Sequence, residues 1–411
     1  LISLRKEAEL EMVTGEPILN ENQSTPSNYP VPKTLDRAYG FDDVAIVPGA
    51  VTTNPDMVTP EFTLGQYTFS TPIIAAAMDG VTSPNFAVQI AKKGGFAVLN
   101  LDGLWTRYTD ADGVLEEIAS ADVQTSTSLI QKAYEEPIKE NLIGQRIEEI
   151  NVAGGISAVS VAPQNAKRFA PLTREAGVNI LTVASTVTTA KHISRSLEGL
   201  QLDKLVEVMG DTPVLVGNTV DKQATLELMR TGIHGVLVGV GPGAACTSRE
   251  VLGVGMPQVS ATLETAHARD IHFADTGRYV PIITDGGLRT GGDVSKAICA
   301  GADAVMIGSP FASCAGAPGR GYHWGMATPN ADLPRGVRVQ VNQNTTLDKL
   351  LFGPTSKTDG TENLVGALKT SMGTCGAQTI RDFHSTRMII APSIKTEGKI
   401  YQISQTRPAG I

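Results

Sequence analysis

Short runs of small or β-branched apolar residues recur along the chain, each followed by a stretch with helical spacing. Eight such runs stand out: Pro72–Ala77, Phe96–Asn100, Ile156–Val161, Asn179–Val183, Pro213–Gly217, Gly235–Gly239, Pro281–Thr284 and Ala304–Gly308. They are continuous rather than alternating, which is the pattern of strands covered on both faces in a parallel sheet. Amphipathic stretches such as Lys222–Arg230 and Asp293–Cys299 supply intervening helices. Eight βα units predict an α/β fold, a closed (β/α)8 TIM barrel; an open doubly wound sheet is the competing arrangement. The third and fourth runs are short enough to read as buried helix as well as strand.

Two flanking regions break the pattern. Residues 1–33 are rich in Glu, Asn, Pro and Ser and predict a flexible N-terminal tail without a signal-peptide core. Residues 34–411 then form a single barrel domain. After the eighth run, Gly316–Arg338 is dense in Gly and Pro and reads as a long functional loop. Residues 339–411 form a C-terminal extension with a further strand and a helix over Asn363–Met372.

Composition narrows the function classes. The 411 residues suit one large barrel with extensions. The net charge of −8 and the absence of clustered Lys and Arg argue against a nucleic-acid surface. No apolar run approaches a membrane span. The four cysteines, Cys246, Cys299, Cys314 and Cys375, are widely spaced. That spacing points to a reducing, cytoplasmic setting and offers no zinc site.

Barrel enzymes place their chemistry at the C-terminal ends of the strands. The sixth run leads into Gly239–Gln258, where Cys246 sits in an irregular Gly-rich loop among Thr and Ser. A thiol there is a candidate nucleophile. The other three cysteines read as core or structural. The seventh run ends in Thr284-Asp285-Gly286-Gly287 and the eighth in Gly308-Ser309. Loops after strands seven and eight commonly hold a phosphate, and their glycines free backbone N–H groups for it. Asp285 is suited to accept hydrogen bonds from ribose hydroxyls.

Together, GPGAACTSREVLGVGMPQ, ITDGGLRTGGDVSKAICAGADAVMIGS and AAAMDGV resemble the IMP dehydrogenase / GMP reductase family over most of residues 38–411. The resemblance implies Cys246 as the nucleophile at purine carbon 2, with Ser248 as a neighbouring hydroxyl. It implies a nucleotide, IMP/XMP or GMP, held by Asp285, Gly286, Gly287, Met306, Gly308, Ser309, Gly325, Met326 and Met78. Cofactor contacts would come from Ser185, Gly241 and Gly243. A monovalent cation (K+) would lie on carbonyls of Gly241, Gly243 and Cys246. NAD would be the redox cofactor, and relatives form homotetramers. Leu101–Ile156 is too short for the regulatory CBS pair of many relatives, so the chain resembles the CBS-less branch.

The resemblance leaves the reaction open. Glu250 and Val251 stand where GMP reductases carry a Lys-containing pair, which favours the dehydrogenase. A reductase, or a nucleotide-binding regulator without catalysis, are the alternatives. Departures matter too. Ala184 occupies the position of the family's NAD-contacting Asp, Ala76 that of a frequent Ser, and Ser248 that of the usual Thr. The loop has no Arg-Tyr pair. Arg335 is a candidate to supply the missing positive charge, to read the base, or to be an ordinary loop residue. His323 stands in for an aromatic nucleotide contact.

Overall fold

The structure is a computed structural model and describes residues 34–193, 199–325 and 338–392. All eight apolar runs form strands: β1 Ile73–Ala75, β2 Phe96–Asn100, β3 Ala158–Val161, β4 Ile180–Ala184, β5 Val214–Thr219, β6 Gly235–Val238, β7 Ile282–Asp285 and β8 Ala304–Ile307. Each pairs in parallel with the next, and β8 returns to β1, so the sheet is a closed barrel and not an open one. Every strand residue is buried except Asp285, which is half-buried. This accounts for the unbroken apolar runs. The inner faces pack in the lumen and the outer faces lie under helices.

Strand bounds differ slightly from the sequence reading. β1 is trimmed to Ile73–Ala75, while β5 runs past Gly217 to Thr219. The register of β5 against β6 shifts between Gly217 and Thr219. Such an irregularity re-aims a side chain at a barrel rim, and the residue inside it is Asn218. The helices at Lys222–Arg230 and Gly291–Cys299 occupy the expected stretches. The C-terminal helix is Leu364–Thr374, with Asn363 in the left-handed region at φ 57° as its N-cap.

Three features lie outside the βα pattern. A hairpin of Phe62–Leu64 and Tyr67–Phe69 precedes β1. Phe69 packs on Phe96, the first residue of β2, with ring centroids 4.7 Å apart. Asn179, just before β4, donates to the Tyr67 hydroxyl at 3.0 Å. The hairpin therefore closes the N-terminal end of the barrel and leaves the C-terminal end for chemistry. Between β2 and β3 stand three helices, Ala111–Ser120, Ser126–Ala133 and Glu140–Val152. Finally, Val44–Ile46 pairs antiparallel with Met388–Ile390. The predicted tail at residues 1–33 lies outside the described residues, and the compact unit holding the barrel begins at Ala38.

Candidate active site

A cavity of about 820 Å³ opens at the C-terminal ends of the strands. That is within the usual range for a small-molecule site. Its walls come mainly from three loops.

The first carries the thiol. β6 is followed by Gly239, whose φ of 148° only glycine tolerates easily. A Cβ there would lie 2.3 Å from the Asp285 carbonyl oxygen. Gln258 reinforces this approach: its Nε2 donates to the carbonyls of Val238 at 2.7 Å and Asp285 at 3.0 Å, joining β6 to β7. The chain then turns through Gly241, and the Cys246 N–H donates to the Gly243 carbonyl at 3.0 Å. Cys246 precedes the short helix Ser248–Leu252 and is part-exposed in the cavity. Its thiol donates to Ser248 Oγ at 3.3 Å. The other cysteines are less suited to attack. Burial pushes the Cys299 and Cys314 thiols up to about 12 and raises that of Cys375.

The second wall follows β7. Asp285 Oδ2 accepts from Asn218 Nδ2 at 2.8 Å. Burial pushes the Asp285 carboxyl up to about 6, and the Asn218 bond pulls the other way. Gly286 and Gly287 follow at φ 88° and 78°. The Gly286 N–H donates to the Met306 carbonyl at 3.1 Å, tying this turn to β8.

The third wall joins β8, β1 and the loop after β8. Gly308 lies so close to Met78 that a Cβ would meet its Sδ at 3.0 Å. Ser309 Oγ and His323 Nε2 are hydrogen-bonded at 2.9 Å. Burial lowers His323 to about 4, so its imidazole is neutral near pH 7. Gly325 lies against the cysteine loop, where a Cβ would sit 3.1 Å from the Ala245 carbonyl oxygen. Beside Met78, Asp79 faces away from the cavity. It accepts from the Tyr134 hydroxyl and, at 3.1 Å, from the Leu104 N–H. Trp324 Nε1 in turn donates to the Tyr134 oxygen at 2.9 Å.

The cavity thus gathers Cys246 and Ser248 with Asp285, Gly286 and Gly287. It also gathers Met78, Met306, Gly308, Ser309 and Gly325, and, from the cofactor and cation sets, Ser185, Gly241 and Gly243. Met326 and Arg335 lie outside the described residues. Ser185 is engaged locally: its Oγ donates to the Val187 carbonyl at 2.7 Å and shares a hydrogen bond with Thr188 Oγ1 at 3.0 Å. Sequence reasoning missed Asn218 and Gln258. Their signal was present only as single polar residues at the ends of VLVG and GVGMP.

A family model described as IMP dehydrogenase / GMP reductase domain matches residues 38–399. An uncharacterized oxidoreductase of Mycolicibacterium smegmatis is 35% identical, over 87% of this chain and 98% of that one. An inosine-5'-monophosphate dehydrogenase of Cryptosporidium parvum is 28% identical, over 85% and 91%. Among solved structures, an IMP dehydrogenase/GMP reductase-like protein from Corynebacterium glutamicum superposes with a TM-score of 0.82 at 32% identity, covering 88% of this chain and 96% of that one. With the barrel closed and the thiol loop, the Asp285 carboxylate and the glycine turns in one cavity, this oxidoreductase-like chain belongs to the IMP dehydrogenase / GMP reductase family.

Proposed function

We propose that the protein is an oxidoreductase acting at carbon 2 of a purine 5'-monophosphate, with IMP as substrate, XMP as product and NAD as electron acceptor. The single observation that carries this is the Cys246 thiol sharing one cavity with Asp285, Gly287 and Gly308. The phosphate lies on the glycine N–H groups after β7 and β8, beside Ser309. The ribose hydroxyls donate to Asp285. This places the base toward Cys246, whose thiol, hydrogen-bonded to Ser248 Oγ, loses its proton to solvent and adds as the thiolate to carbon 2, the electron pair of the carbon 2–nitrogen double bond moving to the nitrogen, which takes up a proton. NAD, when bound, supplies the two-electron acceptor.

Of the carbonyls expected to hold K+, that of Gly243 accepts the Cys246 N–H and keeps a second lone pair. No step is assigned to a cation. A homotetramer, as expected from the resemblance, and a cytoplasmic setting complete the reading. No described helix is long and apolar enough to cross a membrane.

A second reading is reduction of GMP with loss of ammonia. Dehydrogenation ends in hydrolysis and needs a base for water, and Arg335, the candidate to supply the positive charge for that step, lies outside the described residues. Among the described residues, His323 is bound to Ser309 and neutral. Arg320 pairs with Glu116 at 3.1 Å, and Arg338 donates to carbonyls of Ile118 and Ala121 at 2.5 and 2.9 Å. Glu250 and Val251, which favoured the dehydrogenase, are exposed and do not line the cavity.

The deciding assay follows absorbance with IMP plus NAD in potassium buffer and with GMP plus NADPH in parallel. NADH formation supports the dehydrogenase and NADPH consumption the reductase. Silence in both, with IMP still binding, would overturn the catalytic reading in favour of a nucleotide-binding regulator.

A further inference from the structure

The thiol loop leaves the barrel at Val240, just past β6, and returns at Met256, ahead of the helix that begins at Gln258. At its neck the outgoing and returning chains meet, and the Met256 N–H donates to the Val240 carbonyl at 3.2 Å. One side chain from inside the loop reaches back to the same place. Arg249, the second residue of the helix Ser248–Leu252, donates from Nη2 to the Met256 carbonyl at 2.8 Å.

The stem of Arg249 is seated against both sides of the neck. A Cβ on Gly241 would lie 2.5 Å from its Cγ, and one on Gly255 would lie 2.8 Å from both its Cγ and its Nε. The Gly255 position is also tight against the outgoing chain, where a Cβ would meet the Val240 carbonyl oxygen at 2.9 Å. Cγ is one bond beyond the Arg249 Cβ, so it clears such a methyl only by leaving its χ1 well. The two glycines are therefore what lets this side chain reach the neck.

The same side chain is coupled to the thiol. The helix that carries it has five residues, too few to hold a place of its own. Its backbone is tied within the loop, the Arg249 carbonyl accepting from the Gly253 N–H at 3.1 Å. Its first residue, Ser248, is buried and accepts from the Cys246 thiol at 3.3 Å. Where Arg249 is fixed thus sets where Ser248 and Cys246 stand.

The geometry points to Arg249 as the positioning residue of the thiol loop: its clasp on Met256, seated at Gly241 and Gly255, holds Cys246 toward the nucleotide base. This rests on the reading of Cys246 as the nucleophile. Arg249 makes and breaks no bond; it acts through the loop. Releasing the clasp lets the thiol drift while the proposed phosphate and ribose contacts, at the ends of β7 and β8, stay in place.

The test follows iodoacetamide labelling of Cys246, located by peptide mass, in the full chain with and without saturating IMP. Turnover is measured alongside with the substrate pair that supports it. In the parent, bound IMP is expected to shield the thiol. Arg249→Met keeps the stem and removes the donor. It should lose most of that shielding and about 10²-fold in kcat, the scale of a displacement of about 1 Å. Its nucleotide Kd and KM should stay within about threefold, because ground-state binding is not what the clasp supplies. Gly255→Ala keeps Arg249 but pushes its stem aside, and should show the same losses; it carries the test if Arg249→Met does not fold. The two combined should lose no more than either alone, because both release one clasp. Parental shielding and kcat in a folded single variant, or losses that multiply in the double, would overturn the positioning role and leave the Cys246 reading standing. A parent thiol labelled as fast with bound IMP as without it would overturn both.

Discussion

Asn218 Nδ2 donates to Asp285 Oδ2 at 2.8 Å, joining the irregular end of β5 to the last residue of β7. The bond favours the charged form of a carboxyl that burial otherwise pushes up to about 6. Two strands distant in sequence thus set the ionisation of the group proposed to hold the ribose.

A pH dependence of binding follows. Ribose hydroxyls donate best to the ionised carboxylate. With a midpoint near 6, affinity rises with pH through that value and falls by about tenfold between pH 7 and pH 5. Inosine is the ligand to titrate, because it removes phosphate ionisation. Asp285→Asn should bind weakly and without this slope, and Asn218→Leu should move the midpoint upward. A flat profile in the unaltered protein would contradict the ribose assignment.

Cys246→Ala should lower turnover by at least about 10⁴-fold, the scale on which loss of a nucleophile acts. Its nucleotide Kd should stay within about threefold, because the proposed phosphate and ribose contacts lie at and after the ends of β7 and β8. Undiminished turnover would end the covalent mechanism.

The barrel was legible because parallel strands covered on both faces leave continuous apolar runs, and eight runs leave few alternatives. The thiol loop and glycine turns were legible because they need unusual backbone, which Gly239, Gly286 and Gly287 announce. What escaped was set by register between distant segments. Nothing local in VLVGNT marks Asn218 as the partner of Asp285. The hairpin closing the barrel was missed for the same reason, since its Phe69 finds its partner in Phe96.

Gly239→Ala tests whether the thiol loop depends on close contact with β7. The new methyl would meet the Asp285 carbonyl at 2.3 Å on a backbone with φ 148°. Overpacking costs about 1–3 kcal/mol and the unfavourable backbone about 1–3 more. Chemical denaturation should show a loss of at least about 2 kcal/mol, with reduced reactivity of Cys246 toward a thiol reagent. A variant as stable as the parent would show that the approach is not tight.

His323 gives a stability signature of the opposite pH sense to a raised carboxylate. Its folded value is lowered from 6.5 to about 4 by burial, so the unfolded chain takes up the proton first. The folded state keeps the full benefit above 6.5 and loses it as pH falls toward 4. Replacing the ring by His323→Asn removes that component. Denaturation at pH 7 and pH 5 should show the parent losing more stability than the variant over this interval; equal losses would mean that the ring charges freely in the fold.

Tyr134 connects Asp79, behind the β1 turn, to Trp324, next to the cavity residues His323 and Gly325. Tyr134→Phe would leave the Trp324 N–H without its acceptor and take a donor from Asp79, whose Oδ1 already has no partner among the described residues. Each orphaned buried group costs about 1–3 kcal/mol. The pH dependence separates this from simple loss of packing. Burial raises Asp79 to about 6, and Tyr134 is the strongest of the contacts that hold it down. A carboxyl raised in the fold stabilises below its ordinary value of 3.8, and that contribution disappears as pH rises through about 6. Without Tyr134 the folded value climbs further, so the variant should be penalised more at pH 8 than at pH 5. Asp79→Asn should remove the pH dependence and leave a constant remainder. A Tyr134→Phe penalty that is the same at both pH values would mean that the hydroxyl packs beside Asp79 without supporting its charge.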